Sequence, residues 1–218
     1  MRLDGTTALV VGSGPLTEKL AAGLADLGVA APVLAPPASR ADAAAAFAAH
    51  DAPDAVVVVA GVDGTLEDRA LAETDDAAWD REAEAPIRSA FHSVQAAYER
   101  FGGRGGAIVA AVPAIALTGA AGLVPFASAA EGIRLIVKSA ARAWGAEGIR
   151  VNCVLLPIEE WGFTPAPGHA VPNRYGPSLP GANSSADVAG AVAMLISPLA
   201  AGVNGTTVGV DRGTVLAP

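Results

Sequence analysis

Chemically reactive side chains are scarce in this chain. It holds one cysteine, Cys153, three histidines and two tyrosines in 218 residues. A single thiol excludes an internal disulfide and a cysteine metal cluster. His50, His92 and His169 are scattered, with no second histidine or cysteine at ligand spacing, so no metal site is expected. Basic charge is scarce too: 14 Lys and Arg against 22 Asp and Glu give a net charge of -8. Nucleic acid and anionic membranes are drawn to basic faces, so neither is an expected partner. The start, MRLDGTTALVV, enters an apolar strand pattern without a signal-peptide layout. The longest weakly polar run, Ala107 to Phe126, has about the length of a membrane span. It contains Pro113, Gly119, Gly122 and Pro125 and reads better as strand plus turn. A cytoplasmic, soluble protein is expected.

What remains is mostly apolar. Hydrophobic residues make up 52% and charged residues 17%, with a mean hydropathy of +0.42. A chain of this length can bury one substantial core, and no repeat or boundary divides it, so residues 1–218 form a single expected domain. Thr7 to Val11, then Gly-Ser-Gly-Pro, then a helical pattern from Pro15 to Leu27 reads as strand, turn and helix, the opening of a nucleotide-binding fold. Val29 to Ala35 is a poor second strand. Ser39 is a plausible N-cap for a helix to about His50. The β-branched run Asp54 to Ala60 predicts a strand covered on both faces. A long helix follows over Asp76 to Phe101, with a kink or restart at Pro86.

Further on, a strand is predicted over Ala107 to Val112, a helix over Phe126 to Gly145 and a strand over Arg150 to Leu156. Glu159 to Ser184 is rich in Pro, Gly and Asn and reads as one long irregular loop of the kind that often covers a site. Ser185 caps a helix through Ser197, and Thr206 to Val210 is the last strand. Alternating strands and helices imply an α/β, Rossmann-like, doubly wound parallel sheet.

Six stretches recur in order across nearly the whole chain: ALVVG near the start, VVVVAG at 56–61, Trp79-Asp80-Arg81, GGAIV at 105–109, GIRVN at 148–152 and NGTTVGVDRG at 204–213. Together they resemble a short-chain dehydrogenase/reductase (SDR). The resemblance implies a seven-stranded parallel sheet and the use of NAD or NADP by active members.

The chain departs from that pattern at every functional point. The family phosphate loop is Thr-Gly-x-x-x-Gly-x-Gly, whose glycines let the backbone approach a diphosphate at a helix N-terminus. Here Gly12 and Gly14 are followed by Pro15 and Thr17 at the last two glycine positions, and the loop is one residue short. Pro15 removes a donor, Thr17 adds bulk, and Glu18 puts a carboxylate in the first helical turn. At the adenosine end, the usual acid or basic cluster is replaced by Leu34-Ala35-Pro36-Pro37. The chain between Gly28 and Gly61 is also shorter than the family norm by roughly one helix and one strand. The missing pieces are the second helix and the edge strand, so six strands are predicted.

The resemblance also assigns catalysis. The family's Tyr-x-x-x-Lys pairs a phenol with an ammonium that lowers its pKa and holds the nicotinamide ribose; a serine and an asparagine assist. Matched residue by residue, the tyrosine position is Phe126, the lysine Ala130, the serine Pro113 and the asparagine Pro86. All four roles are vacant. Neither Tyr98 nor Tyr175 has a lysine four residues on, so no shift of register restores the motif. No cofactor is expected on this chain.

Two functions follow as expectations. The first is a catalytically inactive subunit that assembles with an intact SDR as a heterodimer or heterotetramer. NAD or NADP would then sit in the partner, which handles an alcohol, carbonyl or hydroxyacyl-type substrate. On the helix at 126–145, Ile133, Ile136, Val137 and Ala140 would face the sheet. Ser128, Gly132, Leu135 and Ser139 form a second stripe of mostly small residues suited to close helix approach across a two-fold axis. The second is the same cleft refitted for cofactor-independent isomerisation, cyclisation or dehydration, or for ligand binding. The acids or bases available for it are His92, Glu159 and Glu160. Trp161 and Phe163 either close over the cleft or meet a partner chain. Cys153 reads as a small core residue.

Overall fold

The computed structural model describes residues 2–62, 66–164 and 177–215. Strands β1 (Ala8–Val11), β2 (Val33–Leu34), β3 (Ala55–Val59), β4 (Gly106–Pro113), β5 (Ile149–Leu156) and β6 (Thr207–Gly209) form one sheet in the order β2-β1-β3-β4-β5-β6. Every pairing is parallel. The helices are α1 (Pro15–Asp26), α2 (Arg40–Ala48), α3 (Asp76–Trp79), α4 (Ala85–Phe101), α5 (Ile115–Thr118), α6 (Val124–Trp144) and α7 (Ser185–Ile196). This is the expected six-stranded Rossmann-like architecture.

Strand side chains alternate between two cores, as the two-residue period requires. Leu9, Val11, Val56, Val58 and Ile108 pack with α2, α4 and α6 through Phe47, Phe101 and Val137. Val10, Val57 and Val109 pack on the other face with Leu20 and Leu24 of α1 and Val188 and Val192 of α7. A strand covered twice has no polar face, which is why β3 reads as an unbroken Val run. Ile133, Val137 and Ala140 of α6 are buried against the sheet as predicted, with Ile136 partly so.

The shortened connection after α1 has a direct consequence. The sheet ends at β2, only two residues long, with Val33 49% exposed. Val10 and Gly12 donate to Pro32 O and Leu34 O, each at 2.9 Å. Pro32, Pro36 and Pro37 flank that edge, where a residue without an N–H blocks further pairing. The expected break at Pro86 takes the form of a π-turn, Asp80–Glu84, between α3 and α4. Proline returns no hydrogen bond to the preceding turn, and the helix widens just ahead of it.

The last helix is capped by Ser184, one residue before the serine expected from the sequence. Its hydroxyl accepts from Asp187 N at 3.1 Å, and its own N–H donates to Asp187 Oδ2 at 2.7 Å. The Ser184 N–H and hydroxyl, with Arg212 beyond them, hold the Asp187 carboxyl below the usual carboxylate range. Ser184→Ala should cost about 1 kcal/mol. In a thermal melt that is a shift of about 2–4 °C.

Candidate functional site

Three loops leave the carboxyl ends of β1, β3 and β5 and line an open cleft of about 480 Å³. Ligands bind open α/β sheets at this end. The first loop is folded onto itself. A Cβ on Gly12 would lie 2.5 Å from Thr17 Oγ1 and 2.9 Å from Val59 Cβ, so no larger residue fits. Thr17 is 1% exposed, and its hydroxyl donates to Ser13 O at 3.0 Å. The threonine therefore fills the hollow beneath the turn. Gly14, at φ 81, makes the turn, and α1 then starts at Pro15.

The β5 loop closes over the first. After Pro157 a single 3-10 turn, Ile158–Trp161, ends at Gly162 with φ 75. Trp161 Nε1–H donates to Ala60 O, at the end of β3. The indole stands edge-on to Phe126, centroids 6.1 Å apart at 72°. Glu160 is pinned by Lys19, with Nζ 2.7 Å from Oε2, and the same ammonium donates to Asn183 O at 2.8 Å. A Cβ on Gly162 would be 3.7 Å from Pro15 Cγ, so this loop lies directly on the start of α1.

This arrangement decides between the two readings of Trp161 and Phe163: both line the cavity. It also gives Glu160 an occupation, since its side chain is 10% exposed and neutralised within the chain. Lys19→Met leaves that carboxylate and Asn183 O without their cation, and should cost about 1–3 kcal/mol. It should also red-shift tryptophan emission as Trp161 meets water. Unchanged emission would show that the ion pair does not hold the loop.

The other candidates lie elsewhere. Glu159 is exposed. His92 is on α4, with Nδ1 3.3 Å from Gln95 Oε1 and its ring tilted against Phe91, and it does not line the cavity. His50 is held through its backbone, its carbonyl accepting from Arg100 and its N–H donating to Phe47 O. His169 lies outside the described residues. Among the described residues no cluster of His, Cys, Asp and Glu could hold a metal ion, and no helix is long and apolar enough to cross a membrane. Burial pushes the Cys153 thiol up to about 12, which suits a core residue.

The small-residue stripe on α6 divides in two. Ser128 is half-buried and donates to Val124 O of its own helix at 2.8 Å. A Cβ on Gly132 would stand 3.2 Å from Ile87 Cδ1, so this glycine serves the approach of α6 to α4 within the chain. Leu135, 63% exposed, and the exposed Ser139 face outward. One feature has no counterpart in the sequence reading. Glu82, in the π-turn, is fully buried, with Oε1 3.4 Å from Arg69 Nη1 and 2.5 Å from Arg81 Nη2. A charge at that depth needs cations brought from separate elements, and Arg69 belongs to the preceding loop.

Residues 14–215 match the family profile described as enoyl-(acyl carrier protein) reductase. The chain belongs to the short-chain dehydrogenase/reductase family. No curated protein sequence matches it. Among solved structures, an SDR from Mycobacterium ulcerans has a TM-score of 0.83 at 19% identity, over 98% of this chain and 91% of that one. A protein from Agrobacterium tumefaciens described as a 2-deoxy-d-gluconate 3-dehydrogenase, with bound NADP, has a TM-score of 0.79 at 24% identity, over 98% and 97%. A short-chain oxidoreductase from Pseudomonas aeruginosa, described as containing an atypical catalytic center, has a TM-score of 0.79 at 21% identity, over 100% of both chains. At these identities the likeness is one of fold.

In this SDR fold, the positions that the sequence assigned to catalysis are inside the protein. Phe126 and Ala130 are one turn apart on α6 and fully buried. Pro113 ends β4, in register with Leu156 of β5. Pro86 is buried at the start of α4. Phenylalanine, alanine and proline have no ionisable group, so none of these side chains can exchange a proton with a substrate.

Proposed function

We propose that this chain is a non-catalytic SDR subunit. It supports an intact NAD(P)-dependent SDR in a heterodimer or heterotetramer, and the partner carries out alcohol, carbonyl or hydroxyacyl oxidoreduction. The observation that carries the reading is the set Pro86, Pro113, Phe126 and Ala130, which leaves no acid, base or cation where the family chemistry is done. The phosphate loop supports it: Thr17 fills the hollow beneath the turn, and Gly162 lies against Pro15 at the start of α1. Phe91 on α4 and Leu135 on α6, 46% and 63% exposed, place large apolar side chains on neighbouring helices, as a subunit contact requires.

Co-expression with the proteins encoded by neighbouring genes, followed by native mass measurement, tests the assembly. A stable mixed complex is the expected result. A stable homo-oligomer that ignores the co-expressed SDR overturns it. Titration with NADPH and NADH tests the cofactor clause: no saturable binding is expected below millimolar concentration, and micromolar binding would return the chain to the ordinary dehydrogenases.

The cleft lined by Leu16, Val62 and Trp161 favours one element of the alternative, ligand binding, over new catalysis. His92 is remote from the cavity, Glu159 is in solvent and Glu160 is held by Lys19.

A further inference from the structure

The two edges of the sheet are finished differently. At β2, Pro32, Pro36 and Pro37 block further pairing, whereas residues 204–210, which carry β6, include neither a proline nor a charged side chain. The bonds to β5 fix which groups of β6 are free. Cys153 N donates to Thr206 O at 2.9 Å and Val210 N to Leu155 O at 2.8 Å, with Cys153 opposite Thr207 and Leu155 opposite Gly209. In a parallel ladder this alternation turns the N–H and C=O of Thr207 and Gly209 away from β5. Among the described residues none of these groups has a partner. Thr207 and Val208 are half-buried and Gly209 is exposed, so the edge is open.

The cations beside that edge are unspent as well. Arg134, Lys138 and Arg142 stand one turn apart along α6, on the side towards β6. Arg134 is buried and occupied: it pairs with Glu131, and its Nε donates to Thr207 Oγ1 at 3.4 Å. Lys138 and Arg142 are exposed, and their charged groups have no partner among the described residues. With Ala141, Asn204 and Gly205 they line an open recess of about 300 Å³ next to the start of β6. Like charges one turn apart repel. The helix dipole accounts for Arg142, in the last turn, but not for Lys138. In a chain with a net charge of -8, this is cationic surface with no internal use.

We propose that the edge of β6 and the recess at Lys138 and Arg142 dock an extended acidic segment of another protein, which adds to the sheet as a further strand. Main-chain bonds to Thr207 and Gly209 seat the segment, and carboxylates on its α6 side meet the two cations. The edge is only three residues long, so main-chain bonds alone would hold a strand weakly and the charge supplies the rest. A second copy of this chain does not fit the surface, because residues 204–210 offer no carboxylate to Lys138 and Arg142. The surface lies outside the cleft, so the proposal stands without the non-catalytic reading.

The test uses the full chain and a fluorescein-labelled peptide, Glu-Thr-Glu-Val-Glu-Thr, read by anisotropy. Saturable binding at one site per chain is expected, weakening as salt rises. The Thr207 and Gly209 amides should gain protection from hydrogen exchange. Lys138→Glu with Arg142→Glu should weaken binding by about tenfold or more, with the thermal melt intact because both side chains are exposed. That double variant should instead bind the peptide carrying lysine for glutamate. Thr207→Pro removes a donor that faces away from β5 and should also weaken binding. N-methylation of one alternate set of peptide residues should abolish binding and of the other should not, since only one set turns its N–H to β6. No saturable binding, undiminished binding by the charge-reversed variant, or indifference to N-methylation would overturn the proposal. So would a dimer of the free chain that Thr207→Pro dissociates, which would assign the edge to a second copy. None of these outcomes bears on the NADPH titration or the co-expression result, so the two readings fall separately.

Discussion

Ala130→Lys is expected to lower the melting temperature by about 8–16 °C, the equivalent of about 4 kcal/mol. Ala130 is fully buried on α6, packed in the apolar cluster with Ile133, Val137 and strand residues of the sheet. A lysine there forces four methylenes into a filled space and leaves an ammonium without a counter-ion. The companion double variant, Phe126→Tyr with Ala130→Lys, restores the two side chains that the SDR resemblance assigns to proton transfer. It should show no NAD(P)H-dependent carbonyl turnover, because the phosphate loop and the Trp161 cover are untouched. Wild-type stability together with measurable turnover would show that the cleft still accepts a cofactor. The pair of readouts thus separates a lost side chain from a lost site.

The second large effect concerns the ring left at the tyrosine position. Phe126 is fully buried among Leu66, Ile115, Leu123, Ala129 and Ile158, with Trp161 against its edge. Phe126→Ala should cost about 3–5 kcal/mol, from lost transfer energy plus the cavity left behind. Phe126→Leu, which keeps most of the volume, should cost less than about 1.5 kcal/mol. Urea denaturation measures both. In a background of Trp79→Phe and Trp144→Phe, Trp161 becomes the sole tryptophan and its emission should shift red in Phe126→Ala but not in Phe126→Leu. If the alanine variant leaves the emission where it was, Phe126 does not seat the indole. The phenylalanine then fills its position without organising the cleft.

The resemblance to SDRs places Phe126, Ala130, Pro113 and Pro86 at the family's catalytic positions, and the sequence shows that none of the four carries an ionisable group. The sheet is legible directly. Runs such as Ala55–Val59 are apolar on both faces, and the Gly and Pro punctuation between them marks turns. The six-strand count rests on the resemblance as well, since the segment from Gly28 to Gly61 is shorter than the family norm by about one helix and one strand.

The interior of the cleft was not legible. Lys19 and Glu160 are 141 residues apart, and no local pattern distinguishes this pair from any solvated lysine and glutamate. Glu82 looks like one acid among several on a helix start until Arg69 and Arg81 are seen to close on it. Gly132 reads equally well as a contact for another subunit or for α4, and only packing against Ile87 assigns it to the chain itself.

By itself, then, the sequence determined the parallel α/β class by local period and, through its resemblance to SDRs, the six-strand count, the family and the absence of ionisable groups at Phe126 and Ala130. Only the tertiary structure decided what stands at the mouth of β3: Trp161, carried from beyond β5, with its N–H on Ala60 and its edge on Phe126. That contact joins residues far apart in the chain. It forms because the Ala60 carbonyl offers the indole N–H an acceptor and the buried Phe126 ring offers it an apolar neighbour.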